Sequence, residues 1–167
     1  MNEVKTDPWS GLAELMNGLK KEYSELLDLL SRKQSALING ETKKVDELVK
    51  QEQAKVNDIE KLEVKRAEAA GACIPDAENP TLKDILEKAP EESGKKLEKA
   101  AVDLLECMNE ATAANRRVAE LVQESMGFVT YQLNLMDSDK PQEGVYKDDG
   151  RVKEEKPKIR GIFNRQA

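Results

Sequence analysis

The stretch Asp7–Gly40, DPWSGLAELMNGLKKEYSELLDLLSRKQSALING, decides the fold class. Its apolar residues recur in alternating steps of four and three, which is typical of a helix that packs on other helices. This seam consists of Leu12, Met16, Leu19, Tyr23, Leu26, Leu30 and Leu37, with Lys33 as its one polar interruption. Asp7 and Pro8 suit a helix start, and Asn39-Gly40 suits a helix end. The stretch therefore predicts one long amphipathic helix.

A second amphipathic helix follows directly, with Lys, Glu and Gln on its polar side. Its apolar side consists of Val45, Leu48, Val49, Val56, Ile59 and Leu62, and Glu52 is a polar interruption among them. The connection after Gly40 is short, so the two helices are expected to form an antiparallel hairpin. Gly71, Pro75 and Pro80 predict a linker after the second helix.

The chain then predicts a short helix and a long one. Thr81–Ala89 begins with a capping box, in which Thr81 caps the helix and Asp84 stands three residues later. After Pro90 a long helix is expected over Glu91–Met136. Its seam consists of Leu97, Ala101, Leu104, Met108, Ala111, Asn115, Val118, Val122, Ser125 and Val129.

Turn-forming residues without any period follow Met136, and they predict that ordered structure ends there. The sequence as a whole predicts an all-α fold, an antiparallel bundle of long helices. It consists of the helical hairpin and the long C-terminal helix, with the short helix in between. We expect this bundle to occupy residues 1–137 and a flexible C-terminal tail to occupy residues 138–167.

Composition agrees with long helices and excludes several classes of function. Of the 167 residues, 36% are charged and 4% are aromatic, which favours helices over a sandwich or barrel. Residues 140–167 carry eight Lys and Arg against five Asp and Glu, so the net charge of −6 leaves −9 on the rest of the chain. An acidic body lacks the basic face that nucleic acids require. No nucleic-acid partner is expected.

Catalytic and metal-binding residue sets are missing from the sequence. The chain contains no histidine, no phosphate-binding glycine loop and no Cys-x-x-Cys pair, so we expect neither an enzyme nor a metal or cofactor site. Cys73 and Cys107 are expected to be reduced, structural thiols. No apolar run reaches about 18 residues and the first residues do not resemble a signal peptide. A cytoplasmic protein without membrane insertion is therefore expected.

The stretch Asn109–Met136 holds the strongest candidates for binding. Small or polar side chains at Ala111, Ala114, Asn115, Ala119 and Ser125 predict a shallow groove on its apolar face. Asn115 either sets the register inside a helix pair or donates hydrogen bonds to the backbone of an incoming peptide. Apolar residues then surround the end of the helix, namely Leu121, Met126, Phe128, Val129, Tyr131, Leu133, Leu135 and Met136. They belong either to the bundle core or to a surface for a partner helix.

Three segments carry a resemblance to a known family, namely NRRVAELVQESMGFVTYQLNLM, Asn115–Met136, VYKDDGRV, Val145–Val152, and IFNRQA, Ile162–Ala167. They resemble the flagellar export chaperone FlgN family. The first is similar to the last helix of that family, the second to its Tyr-x-x-x-Gly element, and the third to its Phe-containing basic end. The long hairpin, the interrupted middle and the overall length agree as well. The resemblance covers almost the whole chain.

The resemblance implies a cytoplasmic, non-catalytic chaperone of type III protein export. Such a chaperone binds the C-terminal helix of hook-filament junction proteins, prevents their premature assembly and brings them to the export gate. The implied client-binding groove consists of Leu104, Met108, Ala111, Asn115, Val118, Leu121, Val122, Ser125, Phe128 and Val129. Tyr146 is implied to dock on the export-gate membrane protein. The alternative is a non-catalytic coiled-coil scaffold or tether, and an uncovered groove would also allow the free protein to form a homo-oligomer.

Overall fold

The computed structural model describes residues 7–78 and 80–138, and within these residues every regular element is a helix. The helices are α1, Pro8–Ile38; α2, Thr42–Cys73; α3, Leu82–Lys88; and α4, Glu91–Ser138. The predicted all-α class and the order of long and short helices are confirmed. α2 continues through Gly71 and ends two residues beyond it, and α4 ends two residues beyond Met136.

The chain divides into two compact units, residues 1–126 and residues 127–167. The described part of the second unit is the end of α4, residues 127–138. The expected tail lies outside the described residues except for Ser138. The predicted domain boundary after residue 137 stays a prediction. The packing described next concerns the first unit.

α1 begins and ends at the residues that the sequence predicts, but Asp7 has another role than expected. Its carboxylate makes no standard N-cap hydrogen bond, although the backbone N–H groups of Ser10 and Trp9 contribute to lowering its pKa. It accepts hydrogen bonds from Ser10 Oγ at 3.2 Å and from Ser93 Oγ at 2.5 Å. The Ser93 hydroxyl is the main reason that the pKa of Asp7 lies below its usual value. Asp7 therefore joins the start of α1 to the start of α4, while Gly40, with φ of +67°, ends α1 in the left-handed conformation.

Ion pairs fix α1 and α2 in an antiparallel hairpin. Lys33 and Glu52, the polar interruptions of the two seams, pair with each other across the helices. Lys55 pairs with Glu22 and with Glu25. Hydrogen bonds to these two carboxylates, first of all to Glu22, raise the pKa of Lys55. Along these pairs the residue number rises on α2 as it falls on α1, which is the antiparallel arrangement that the predicted hairpin requires.

α4 runs parallel to α1. Lys20 Nζ donates a hydrogen bond to Asp103 Oδ2 at 2.8 Å, and Ser24 Oγ lies 3.5 Å from Cys107 Sγ. In both pairs the residue numbers differ by 83, so the two helices run in the same direction along the bundle. The linker after α2 and the short α3 return the chain to the starting end. The predicted capping box opens α3: the Asp84 backbone N–H donates to Thr81 Oγ1 at 3.3 Å.

All four helices share one core around the N-terminal half of α1. Its buried members are Leu12, Ala13, Met16 and Leu19 of α1, Ile59, Ala70 and Cys73 of α2, Ile74, Ile85 of α3, and Leu97, Ala100 and Leu104 of α4. Around the C-terminal half of α1 this core splits into two clusters. One joins Leu29 and Ala36 to Leu48 of α2, and the other joins Leu30 to Ala114 and Val118 of α4. α2 and α4 therefore pack there on different sides of α1.

The Lys33–Glu52 pair is expected to stabilise the hairpin more than surface pairs do. The side chains of Lys33 and Glu52 are 11% and 22% exposed. Glu52→Ala leaves the Lys33 ammonium poorly hydrated and without its carboxylate, so the free energy of unfolding should fall by about 1–3 kcal/mol. Urea denaturation measures this change. Replacing both residues with leucine should recover most of the loss, because two apolar side chains restore the seams.

The matched control is Glu91→Ala, which removes a pair with Lys95 whose side chains are 84% and 73% exposed. Its effect should stay below about 0.5 kcal/mol. Equal effects of Glu52→Ala and Glu91→Ala would show that the Lys33–Glu52 pair contributes no more than a surface pair.

Candidate protein-binding site

The structure places some of the predicted groove residues in the bundle core. Leu104, Ala111 and Val118 are 6%, 5% and 4% exposed. Leu104 belongs to the shared core, and Val118 packs on Leu30 of α1. In the free protein Leu104 and Val118 are covered by the bundle core, so they support the helix from which a binding surface is built.

Met108 and Leu121 are half-buried, and Met108 packs against the shared core. Asn115 is exposed, so the structure does not place its amide inside a helix pair as a buried register-setting residue. Ser125 is exposed as well, and its Oγ donates to the Leu121 carbonyl oxygen of its own helix at 2.8 Å. Val122 is 38% exposed. The predicted seam of α4 thus changes from buried to exposed along the helix.

The end of α1 explains this change within the first unit. The offset of 83 residues seen at Lys20 and Asp103 brings Leu121 to the level of Ile38, the last residue of α1. Leu37, one residue earlier, still packs on the cluster that contains Val118. Past this level the chain turns at Gly40 into α2, and the next seam positions of α4, Val122 and Ser125, are exposed.

The described part of the second unit exposes most of its large apolar side chains. Phe128 and Val129, both predicted groove residues, are 61% and 54% exposed. The other exposed large apolar residues of this part are Tyr131, Leu133, Leu135 and Met136. Soluble monomers seldom expose so many large apolar side chains in one short stretch, and such stretches commonly mark protein-binding surfaces.

A cavity of about 170 Å³, open to solvent, lies between the helices of the first unit. We call it the inter-helix cavity. It is lined by Tyr23, Leu26 and Leu30 of α1, Glu52 and Val56 of α2, and Ala111, Thr112 and Asn115 of α4. Among the lining residues, the sequence prediction of the groove included Ala111 and Asn115. The lining residues of α1 and α2 were not predicted, because a seam does not indicate which helix lies opposite. Among them, only Glu52, a polar interruption of its seam, differed from an ordinary core position.

The described residues contain no cluster of three or more His, Cys, Asp or Glu that is able to hold a metal ion. None of their helices has an apolar stretch long enough to cross a bilayer. Cys73 and Cys107 are free and buried, and burial raises the pKa of the Cys73 thiol. Tyr146 lies outside the described residues.

A comparison with protein families matches residues 10–154 to the model of the FlgN protein family. The chain belongs to the FlgN family. Its role is therefore that of a flagellar export chaperone, in a family of chaperones that is not known for enzymes. The matched range contains all ten predicted groove residues and Tyr146, but it ends before Ile162–Ala167. Neither the curated proteins nor the solved structures contain a match to this FlgN-family chain.

Alanine substitutions at Val118 and Val122, one helical turn apart, should show where α4 changes from buried to exposed. Val118→Ala removes methyl groups that are buried against Leu30, and it should lower the free energy of unfolding by about 1–3 kcal/mol. Val122→Ala makes the same change at an exposed position and should cost about 0.5 kcal/mol or less. Urea denaturation followed by circular dichroism gives both values. A cost at Val122 as large as that at Val118 would mean that Val122 is covered in the free protein.

Proposed function

We propose that this FlgN-family chaperone acts in the cytoplasm and binds the C-terminal amphipathic helix of hook-filament junction proteins. It keeps these flagellar hook-associated proteins from assembling early and delivers them to the type III export gate. The observation that carries this proposal is the exposure of large apolar side chains along the last part of α4. Membership of the FlgN family supports the choice of client.

We propose that residues of each unit contact the client. In the first unit the exposed seam residues Asn115, Val122 and Ser125 contact the client. In the second unit Phe128 and Val129 contact it. Covering apolar surface contributes about 25 cal/mol for each Å² removed from water, and an amphipathic helix covers such a surface through residues spaced by three and four.

Self-association is the second candidate function. The same exposed apolar side chains would be covered in a homo-oligomer, as in a coiled-coil scaffold or tether. A scaffold does not need a junction protein, and its assembly depends on its own concentration. The two functions therefore differ in a sizing experiment with and without the client.

Charged substitutions on the proposed surface should prevent client binding. Val122→Glu and Val129→Glu each place a carboxylate where the client's apolar face would lie, and each should weaken binding to a purified junction protein by about 10-fold or more. Isothermal titration calorimetry measures the affinity, and size-exclusion chromatography shows the complex. Val118→Glu would be unsuitable, because Val118 is 4% exposed and a carboxylate there would unfold the bundle.

Val64→Glu and Val102→Glu are the matched controls, since these valines are 59% and 51% exposed and lie outside the proposed surface. Both controls should bind the junction protein like the wild type. Absence of any complex with the wild type would refute the client proposal. If all four variants bind the junction protein equally well, the client proposal stands but the proposed contact residues are wrong.

Tyr146 is proposed to dock on the export-gate membrane protein, a role that rests on the resemblance and on the family match that includes it. Tyr146→Ala should reduce secretion of junction proteins in cells and leave their affinity for the purified chaperone unchanged. Tyr146→Phe is the control that keeps the aromatic ring. Normal secretion with Tyr146→Ala would contradict the docking role, and reduced client affinity would place Tyr146 at the client instead.

A further inference from the structure

The inter-helix cavity has the size of one large side chain. Its volume is about 170 Å³, and a protein cavity of about 150 Å³ is known to bind a molecule as large as benzene. The cavity arises because the helices contribute side chains of unequal size. α1 contributes Tyr23, Leu26 and Leu30, whereas α4 contributes Ala111 and Thr112, which leave the space between them unfilled.

The polar groups around the cavity are already satisfied or neutral. The Glu52 carboxylate pairs with the Lys33 ammonium, so its charge is compensated within the bundle. The Thr112 hydroxyl donates to the Met108 carbonyl oxygen at 2.9 Å. The Tyr23 phenol is neutral at neutral pH, and burial raises its pKa above the usual value. A charged occupant would lose hydration without gaining a partner, whereas an apolar one would not.

A larger depression between α1 and α2 has the opposite character. Its volume is about 630 Å³, but most of its lining residues are charged or polar. They are Lys21, Ser24, Glu25, Asp28, Leu29, Arg32, Gln51, Ala54, Lys55 and Asp58. The apolar face of an amphipathic helix would have little apolar surface to pack on in this depression. The inter-helix cavity is therefore the better place for an apolar side chain.

We infer that the inter-helix cavity is the anchor site for one large apolar side chain, Leu, Met or Phe, of the client's helix. Asn115, which is exposed and also lines the cavity, then donates from its side-chain amide to the client backbone beside the anchor. This inference rests on the proposed function and adds the client residue class and the place that it occupies. Ala111 is then a specificity-determining residue, because a larger side chain at this position would fill the anchor site.

Filling the cavity from within tests the inference. Ala111→Met should weaken binding of the junction protein by about 10-fold or more, because the new side chain occupies the anchor site, and it should keep the bundle folded. Thr112→Leu narrows the same cavity from an exposed position, so it tests the site even if Ala111→Met does not fold. Ala113→Met is the control, because Ala113 does not line the cavity. Its affinity should equal that of the wild type.

Truncation of the client supplies the second half of the experiment. Each apolar residue of its C-terminal helix is replaced by alanine in turn, and calorimetry gives the affinity for the wild type and for Thr112→Leu. One truncation should cost about 10-fold or more with the wild type and much less with Thr112→Leu, the coupling expected when two residues share one site.

The outcomes separate this inference from the proposed function. If the wild type binds the junction protein and both filling variants bind it equally well, the anchor site is overturned and the proposed function stands. Equal costs of every truncation in both backgrounds would overturn it too. If the wild type does not bind at all, the proposed function fails and the anchor site fails with it.

Discussion

The packing of α1 on its two partners is the constraint on which the rest of the bundle depends. α1 is the element that shares buried clusters with both α2 and α4 in its C-terminal half. Its 31 residues correspond to a helix of roughly 46 Å, and the 48 residues of α4 to roughly 72 Å, at about 1.5 Å per residue. Within the first unit, α1 ends at the level of Leu121, before the part of α4 in that unit ends. The turn at Gly40 therefore determines where the seam of α4 becomes exposed.

Polar contacts fix the register that the apolar seams leave open. Leucine seams allow helices to slide by one heptad at modest cost, whereas a polar residue on a seam must meet its partner. Lys33 and Glu52 meet in only one antiparallel register. The parallel register of α1 and α4 is fixed in the same way by the contacts of Asp7 with Ser93 and of Lys20 with Asp103. The exposure of Val122 follows from this register, since it brings the end of α1 to the level of Leu121.

The sequence predicts the features that depend on neighbours along the chain. Asp7-Pro8, Asn39-Gly40 and the Thr81 capping box act within a few residues, and the helices begin and end accordingly. Features that depend on distant residues were not predictable. The Asp7 carboxylate accepts a hydrogen bond from Ser93, 86 residues away, which no pattern of neighbouring residues indicates. Asn115 occupies a seam position and is still exposed, because a heptad shows which face is apolar but not which helix covers it.

The small side chains of α4 leave the inter-helix cavity open beside α1. Ala111 and Thr112 face a cavity lined by Tyr23, Leu26 and Leu30, where larger residues would bury more apolar surface. Such an open space leaves part of its apolar walls in contact with solvent, which gives up some of the stabilisation that burial supplies. Unfilled space beside an exposed seam is consistent with a bundle that completes its core with a residue from its client. The free protein is then less stable than its complex, and binding supplies both the missing surface and the missing side chain.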